Sequence, residues 1–260
     1  MNTRLTVSTW NFKHLDAWAD PTAVIAQIRR MGYAPELWLH WDERLDCFDR
    51  PRWSELAKLI GPCPDLSFHT RNQPERLVEE LDMLAALGGR VLVVHPIALC
   101  LPEYRRERPE RHPDVPLIRD LASEARRRGV FIGLENIFSR EFQDRTLEAV
   151  ETFDEHGGLG ICIDLGHAEM RRDYPNETPV DLIRDFGPVL LHLHVHDVAG
   201  ERDHQPLGSG RMDYAAIAAA LREANFDGTA VLEIQAPDPI ATIEDGWKRL
   251  KALTGEELTR

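Results

Sequence analysis

Strand-like and helix-like runs alternate strictly along this chain of 260 residues. A strand is indicated by period-two alternation or a short apolar run, and a helix by apolar residues three and four positions apart. Strands are predicted at Leu5–Trp10, Glu36–Trp41, Leu66–His69, Val91–His95, Val130–Glu135, Gly160–Asp164, Val189–His196 and Ala230–Ile234. Helices are predicted at Ala23–Met31, Trp53–Ile60, Pro74–Leu87, Val115–Arg128, Thr146–His156, Val180–Phe186, Tyr214–Ala224 and Ile240–Leu253.

Eight strands in turn with eight helices predict an α/β fold, a single (β/α)₈ TIM barrel over residues 1–260. Each helix supplies the crossover that two consecutive parallel strands require. An open, doubly wound sheet is the alternative, but no Gly-x-Gly-x-x-Gly follows an early strand. No linker or shift in composition indicates a second domain. In such a barrel the chemistry is expected at the C-terminal ends of the strands.

The seventh predicted strand has an unusual inner face. Residues 191–197 read Leu-His-Leu-His-Val-His-Asp, which places the apolar side chains on one face and His192, His194 and His196 on the other. A core strand would normally be apolar on its inner face. Imidazole is the commonest side-chain ligand for transition metals, so this face is a candidate contributor to a metal site.

The same period-two test places polar groups on the inner faces of five other strands. Each of these side chains has helix-facing apolar neighbours: Ser67, His69, His95, Glu135, Cys162, Asp164 and Glu233. His167 follows strand six, and Asp203 and His204 follow strand seven. The ends of the strands meet at one mouth of a barrel, so we expect these groups to lie close together.

A shared cation explains this collection better than independent packing does. A lone inward histidine is usually a satisfied core residue, but several buried carboxylates without partners would be costly. His192 lies deeper in the predicted barrel and is expected to pack or to support a ligand, and His196 and Asp197 are also candidates for support. Carboxylate and imidazole donors without thiolate fit zinc, manganese, cobalt or iron(II).

Composition limits the partners of the chain. Its formal net charge is −13, which argues against nucleic acid as a partner, because phosphate binding needs a positive field. No apolar run reaches the roughly 20 residues that span a bilayer, and residues 1–10 do not resemble a signal peptide. The four cysteines form no C-x-x-C pair, so neither a thiolate zinc site nor a disulfide framework is indicated. We therefore expect a cytoplasmic protein without membrane association.

Five segments together resemble the xylose-isomerase-like TIM-barrel superfamily. These segments are residues 94–96, 134–136, 163–168, 194–197 and 203–210, which read Val-His-Pro, Leu-Glu-Asn, Ile-Asp-Leu-Gly-His-Ala, His-Val-His-Asp and Asp-His-Gln-Pro-Leu-Gly-Ser-Gly. The superfamily includes sugar and sugar-phosphate isomerases and epimerases, inosose dehydratases, and nucleases of the endonuclease IV type. The resemblance covers strands three to eight and does not select one reaction.

The resemblance also implies a set of metal ligands. By position, Glu135, Asp164, His194 and Glu233 match the four ligands of the ketose epimerases. The additional histidines match those that hold a three-zinc cluster in endonuclease IV: His69, His95, His167 and His204. Asp203 is the candidate carboxylate partner of this cluster, although its spacing differs from that of the nuclease. Relatives in the isomerase group keep these histidines too, so one to three divalent metals per chain remain open.

Three functions are compatible with this set. The first is a metal-dependent isomerase or epimerase of sugars or sugar phosphates, in which Glu135 and Glu233 exchange a proton through an enediolate and His167 binds a substrate oxygen. His196 is a further candidate for substrate contact, and Trp10, Trp38 and Phe138 are candidates for an apolar wall or for ordinary packing.

The second function is a multi-zinc phosphoester hydrolase resembling endonuclease IV, although strands one and two lack the motifs of that family. The third and weakest is a non-catalytic metal-binding barrel. The expected partner is a small carbohydrate, and a homo-oligomer is left open.

Overall fold

A closed barrel of eight parallel strands forms the centre of the computed structural model, which describes residues 3–40, 48–137, 140–149, 157–170 and 177–254. The barrel strands are β1 (Arg4–Ser8), β2 (Ala34–Trp38), β3 (Ser67–His69), β4 (Val91–Val94), β5 (Phe131–Glu135), β6 (Leu159–Asp164), β7 (Leu190–Val195) and β10 (Thr229–Leu232). They follow one another around the ring in chain order, and β10 closes it by pairing with β1. The predicted barrel is therefore confirmed.

Helices surround the barrel, and some of the short ones lie at its mouth. They are α1 (Trp10–Lys13), α2 (Pro21–Arg30), α3 (Trp53–Ile60), α4 (Leu77–Ala86), α5 (Pro96–Leu99), α6 (Val115–Arg128), α7 (Glu141–Ala149), α8 (Leu165–Met170), α9 (Pro179–Phe186), α10 (Tyr214–Glu223) and α11 (Pro239–Thr254). Short 3₁₀ helices lie at Asp16–Trp18, Arg50–Arg52, Pro74–Arg76, Pro102–Tyr104, Pro109–Arg111 and Gly187–Val189. Asp20, Asp114, Thr178 and Asp213 accept hydrogen bonds from free N–H groups at helix starts, which explains several of the observed boundaries.

Several boundaries differ from the sequence prediction. Strand β1 ends at Ser8, and Trp10 begins a short helix instead of ending the strand. Helix α7 begins at Glu141, earlier than the predicted Thr146, and residues 150–156 of that prediction lie outside the described part of the chain. A hairpin of β8 (Asp197–Ala199) and β9 (Arg202–Gln205) follows β7, where a loop was expected.

The core lies mainly between the barrel and its helices. Leu92, Val94, Leu134, Ile161 and Ile163 are fully buried on the helix-facing sides of their strands, as period-two alternation predicts. The barrel interior carries a smaller apolar cluster of Val91, Val93 and Cys162. Above this cluster the interior becomes polar, and this change places the candidate site at the C-terminal ends of the strands.

Among the helices of the described ranges, none is long and apolar enough to cross a membrane.

Candidate metal centre

Four donors from four neighbouring strands converge at the C-terminal end of the barrel. Glu135 ends β5, Asp164 ends β6, His194 lies on β7, and Glu233 directly follows β10. Nδ1 of His194 lies 3.2 Å from Glu135 Oε1, 3.4 Å from Glu233 Oε2 and 3.8 Å from Asp164 Oδ2. All four side chains are buried. We call these four residues the central ring.

The donor set of the central ring fits a divalent cation. Among the described residues, the ion-pair partners of Glu135, Asp164 and Glu233 are all histidines, so no Lys or Arg neutralises the three carboxylates. Oε1 of Glu233 is buried and has no hydrogen-bond partner in the described ranges. Three buried carboxylates and an imidazole nitrogen are hard or borderline donors of the kind that zinc, manganese, cobalt and iron(II) accept.

The carboxylates of the ring and the histidines around them shift one another's pKa values. Burial alone would raise the pKa of the Glu135 carboxyl, but His95 and His194 hold that pKa well below its usual range. Burial likewise opposes a charge on His194, yet its acidic neighbours, Glu233, Glu135 and Glu36 among them, raise its pKa well above the usual value. A cation that binds the ring therefore competes with protons.

A second group of donors adjoins Glu135. Nε2 of His69 and Nε2 of His95 lie 2.9 Å apart, and they lie 3.2 and 2.9 Å from Oε2 of Glu135. Nδ1 of His69 faces the backbone oxygen of Thr70 at 3.3 Å, a contact that favours a proton on Nδ1 and leaves Nε2 free to coordinate. These three side chains form a compact candidate site with one imidazole from β3 and one from the end of β4.

A third group of donors adjoins Asp164. Its members are Asp164, His167, His196 and His204, which come from β6, α8 and the segment that includes the β8–β9 hairpin. Nδ1 of His167 lies 3.5 Å from Asp164 Oδ2, and its Nε2 lies 3.7 Å from Asp203 Oδ2. Asp203 therefore lies beside this group despite its unusual spacing in the sequence.

His196 is oriented by hydrogen bonds at both ring nitrogens. Its Nδ1 accepts the backbone N–H of His204 at 2.8 Å, so Nε2 carries the proton and donates to Asp164 Oδ1 at 2.9 Å. The ring is fully buried and stacks on His204 with a centroid distance of 4.2 Å. This tautomer makes His196 a support for Asp164, the role that the sequence suggested as an alternative to substrate contact.

Two local features hold the loops that carry these groups. The buried Asp197 carboxylate accepts N–H groups from Val198, Gly208, Gly210 and Met212 at 2.8–3.2 Å. Gly166 lies directly against the His196 ring, where a Cβ atom would overlap the imidazole. The glycine of the Asp-Leu-Gly-His segment is thus required by the close approach of these two elements.

Side-chain amides pair strand ends at the mouth of the barrel. Asn136 donates to the backbone oxygen of Asp164 at 3.0 Å and accepts its N–H at 2.8 Å. Asn11 on α1 donates to Leu232 O at 2.9 Å and accepts the N–H of Ile234 at 2.6 Å. Each amide donates one hydrogen bond and accepts one, as the backbone of a neighbouring strand would do. These bonds lie where the backbone hydrogen bonds between the strands have ended, and they fix the spacing of the candidate ligands.

Aromatic side chains lie beside the second and third groups. Trp10 packs on His204 with a centroid distance of 4.4 Å, and Trp38 lies 5.4 Å from the His69 ring. Nζ of Lys13 lies 3.9 Å above the Trp38 ring and donates to the backbone oxygen of His40. Trp10 and Trp38 therefore lie beside the candidate donors, whereas Phe138 lies outside the described residues.

Sequence reasoning missed two buried glutamates. Glu36 on β2 contacts His192 and His194 from inside the barrel. Glu80 on α4 accepts from the Thr70 hydroxyl at 2.6 Å and the Arg71 N–H at 3.1 Å, and it thereby shapes the turn that carries Asn72. The side-chain amide of Asn72 lies 3.2 Å from Nδ1 of His95. Alternation with Leu37 could have identified Glu36 as inward, but nothing in the helical pattern of α4 singles out Glu80.

Comparison with known proteins places this chain in a family. Residues 56–253 match the family described as xylose isomerase-like TIM barrel. A D-psicose 3-epimerase of Enterocloster bolteae is 30% identical over 149 residues, which are 56% of this chain. That alignment spans 47% of the epimerase, so about half of the relative is compared.

Solved structures share the fold over nearly the whole chain. A D-tagatose 3-epimerase-like protein superposes with a TM-score of 0.76 at 18% identity, covering 98% of this chain and 99% of the other. The IolI protein, whose crystal structure contains a zinc atom, superposes with a TM-score of 0.71 at 15% identity, covering 99% of this chain and 100% of the other. At these identities the similarity establishes the architecture of the barrel.

Proposed function

Because this chain belongs to the xylose isomerase-like TIM barrel family, we propose that it is a divalent-metal-dependent isomerase or epimerase of sugars or sugar phosphates. The observation that supports this most is the convergence of Glu135, Asp164 and Glu233 on Nδ1 of His194, each from a different strand. The metal ligands would be the central ring, and the substrate would enter from the open mouth of the barrel.

In this proposal the two glutamates of the ring act on the same carbon from different sides. Glu135 follows β5 and Glu233 follows β10, and these strands are three positions apart around the ring of eight. In the proposed reaction one glutamate removes the proton beside the substrate carbonyl, and the other returns a proton to the opposite face of the enediolate. A bound divalent cation supplies Lewis-acid polarisation of the substrate oxygens.

Other residues of the mouth would bind and orient the sugar. Burial lowers the pKa of His167, so its imidazole is available in the neutral form to hydrogen-bond a substrate oxygen. Trp10 and Trp38 would pack against the C–H faces of the sugar. His69, His95 and His204 add donors for one or two further cations, so a total of one to three per chain is proposed.

The substrate class is proposed from the similarity to a D-psicose 3-epimerase. A ketohexose such as D-psicose, D-tagatose or D-fructose would offer a carbonyl with an adjacent hydroxyl, which is the chemistry that an enediolate requires. The purified protein, loaded in turn with Mn²⁺, Co²⁺, Zn²⁺ or Fe²⁺, should incorporate solvent deuterium beside the carbonyl of such sugars.

Variants at the glutamates test the assignment. Glu135→Gln and Glu233→Gln should each abolish deuterium incorporation, whereas Glu223→Gln, an exposed acid on α10, should leave it unchanged. Activity in Glu135→Gln equal to that of the unmodified protein would disprove the proposed site. Metal binding without turnover of any ketose would instead favour a non-catalytic barrel.

A phosphoester hydrolase is the second candidate, because the additional histidines provide two further groups of donors. Two or three zinc ions would activate water and neutralise the leaving oxygen. Metal analysis of the purified protein separates the two functions. One metal per chain with deuterium exchange supports the isomerase, whereas close to three zinc ions with phosphodiester cleavage supports the hydrolase. The formal charge of −13 weighs against DNA as a substrate.

A further inference from the structure

We propose that Glu36 is a positioning residue that holds His194 in the tautomer able to coordinate a metal through Nδ1. The inference rests on the proposed metal-binding role of the central ring. Glu36 lies on β2, and its side chain is fully buried inside the barrel beneath the ring. Among the described residues, the side-chain hydrogen bonds of Glu36 are with Ser67 of β3 and His192 of β7.

The two nitrogens of His194 face different carboxylates. Nδ1 points to Glu135 and Glu233, whereas Nε2 lies 3.4 Å from Oε1 of Glu36. A neutral imidazole offers a lone pair at one nitrogen only when the other nitrogen carries the proton. An acceptor beside Nε2 therefore favours the tautomer in which Nδ1 is free to coordinate.

Glu36 is itself held in one orientation. Its Oε2 accepts from Nε2 of His192 at 2.9 Å and from the Ser67 hydroxyl at 3.0 Å. Nδ1 of His192 lies 2.5 Å from the Thr229 hydroxyl, so both nitrogens of His192 have partners. Oε1 of Glu36 and Nε2 of His194 are both buried, have no hydrogen-bond partner in the described ranges and lie 3.4 Å apart, so Oε1 is the acceptor available to His194.

The variant Glu36→Gln tests this role with little change in side-chain size. Both carboxylate oxygens of Glu36 face hydrogen-bond donors, but a glutamine amide has only one accepting oxygen. That oxygen can accept from His192 and Ser67, or it can accept from His194, but not both. Where the amide NH₂ faces His194, Nε2 must become the acceptor and the proton moves to Nδ1. We expect the affinity for Zn²⁺ or Mn²⁺ to fall about 10–100-fold, as for other supports of metal-binding histidines.

Two measurements decide the outcome. Competition with a chelator gives the metal affinity, and nitrogen-15 NMR of histidine-labelled, zinc-loaded protein shows which nitrogen of His194 carries a proton. The His194 signal is assigned by its loss in His194→Gln. The unmodified protein should show a proton on Nε2, and Glu36→Gln should show a mixture of tautomers with weaker zinc binding.

Glu80→Gln is the matched control, because Glu80 is also a buried glutamate but does not touch His194. It should lower thermal stability and leave the His194 tautomer unchanged. If Glu36→Gln does not fold, Glu36→Asp replaces it, since the shorter carboxylate retreats from His194 while keeping its charge, and partial loss of affinity is expected. Unchanged affinity with an unchanged His194 signal in the folded variant would overturn the proposal.

The result is separable from the proposed function. If the unmodified protein exchanges sugar protons and the variant at Glu36 binds metal normally, only the role of Glu36 is wrong. If metal binding depends on Glu36 but no sugar reacts, the isomerase assignment is wrong and the role of Glu36 stands.

Discussion

Three histidines of the site have raised pKa values. Burial opposes the charged form of His204, but its contacts with Asp203 and Glu233 raise its pKa to about 10. The pKa of His69 is raised because Glu135 outweighs the effect of burial, and the carboxylates around His194 raise its pKa as well. A metal ion that binds these nitrogens therefore competes with protons, so single residues link cation binding to pH.

Metal binding should release protons at neutral pH. Each of these pKa values is raised in the metal-free fold, so the competing proton is present below that pKa and leaves as pH rises through it. The apparent affinity for Zn²⁺ should therefore increase between pH 6 and about pH 10. Calorimetry in buffers of different ionisation enthalpy counts the protons released, and a count of zero at pH 7 would contradict the assignment.

The Asp203–His204 pair should stabilise the metal-free protein over a defined pH range. Hydrogen bonding to His204 lowers the pKa of Asp203 to about 2, so its contribution is present above the unfolded value and is lost as pH falls toward 2. The contribution of His204 is fully present below about pH 6.5 and is lost as pH rises toward 10. Asp203→Asn should thus cost most near pH 5–6, about 1–2 kcal/mol, because the pair is partly exposed.

Denaturation of metal-free protein at pH 5.5 and pH 10 checks this range. The control is Asp245→Asn, which removes an exposed ion pair with Arg249 on α11 and should change little at either pH. An equal loss for Asp203→Asn at both pH values would show that the pair does not act through charge.

The residues of the central ring could be located from the sequence, but one of their buried neighbours could not. His194, Glu135, Asp164 and Glu233 each alternate with apolar neighbours, so their direction followed from the strand period. Glu36 alternates in the same way with Leu37, yet its partner His192 is 156 positions away. Two residues so far apart in the sequence come into contact only because the strands close into a barrel, so the contact cannot be read from the sequence.

Between elements, the most restrictive contact joins α8 to the segment after β7. Gly166→Ala should push the new methyl group into the His196 ring and disturb the hydrogen bond to Asp164. We expect weaker metal binding together with lower stability, by about 1–3 kcal/mol, as for other overpacked sites. Chelator competition and thermal denaturation of the same preparation measure both effects.

Gly246→Ala is the matched substitution in a helix without such a contact. A Cβ there meets Leu207 at 3.5 Å, an ordinary van der Waals distance, so helix α11 should gain about 0.5–1 kcal/mol. Metal affinity should not change. If both alanine variants behave alike, the close approach of Gly166 to His196 does not control the site.

The β8–β9 hairpin depends on a single carboxylate. Asp197→Ala removes the acceptor for four N–H groups and should destabilise this region by about 2–4 kcal/mol, allowing for partial compensation by water. Hydrogen exchange at Val198, Gly208, Gly210 and Met212 should accelerate, whereas exchange in β4 should stay slow. Uniform acceleration throughout the barrel would indicate global unfolding instead.

The hairpin itself was not predictable from its sequence. Residues 197–205 lack alternating apolar side chains, and β9 has no buried residue. Backbone hydrogen bonds and the Asp197 carboxylate form this element, and neither leaves a periodic signal. The barrel strands and most of the longer helices, by contrast, were located to within a few residues, although α7 begins at Glu141 and not at Thr146.

For the molecule as a whole, the buried carboxylates predict that stability responds to a divalent cation. The barrel encloses Glu36, Glu135, Asp164 and Glu233 within a chain of formal charge −13. Binding to the folded state alone stabilises it by about 2.7 kcal/mol when the free metal is 100 times Kd, which corresponds to about 5–10 °C in Tm for a domain of this size. Removal of metal by a chelator should lower Tm by that amount, and readdition should restore it. A Tm that does not respond to either treatment would contradict a metal site in the barrel.

Evolution can replace the loops of this barrel without disturbing the spacing of its carboxylates. Asn11 and Asn136 connect the ends of neighbouring elements through paired hydrogen bonds, at the level where the backbone ladder ends. Because these bonds lie below the loops, the width of the barrel mouth stays the same when a loop is inserted or exchanged. New substrate preferences can then arise by loop exchange among descendants, while the carboxylates of the central ring keep their positions.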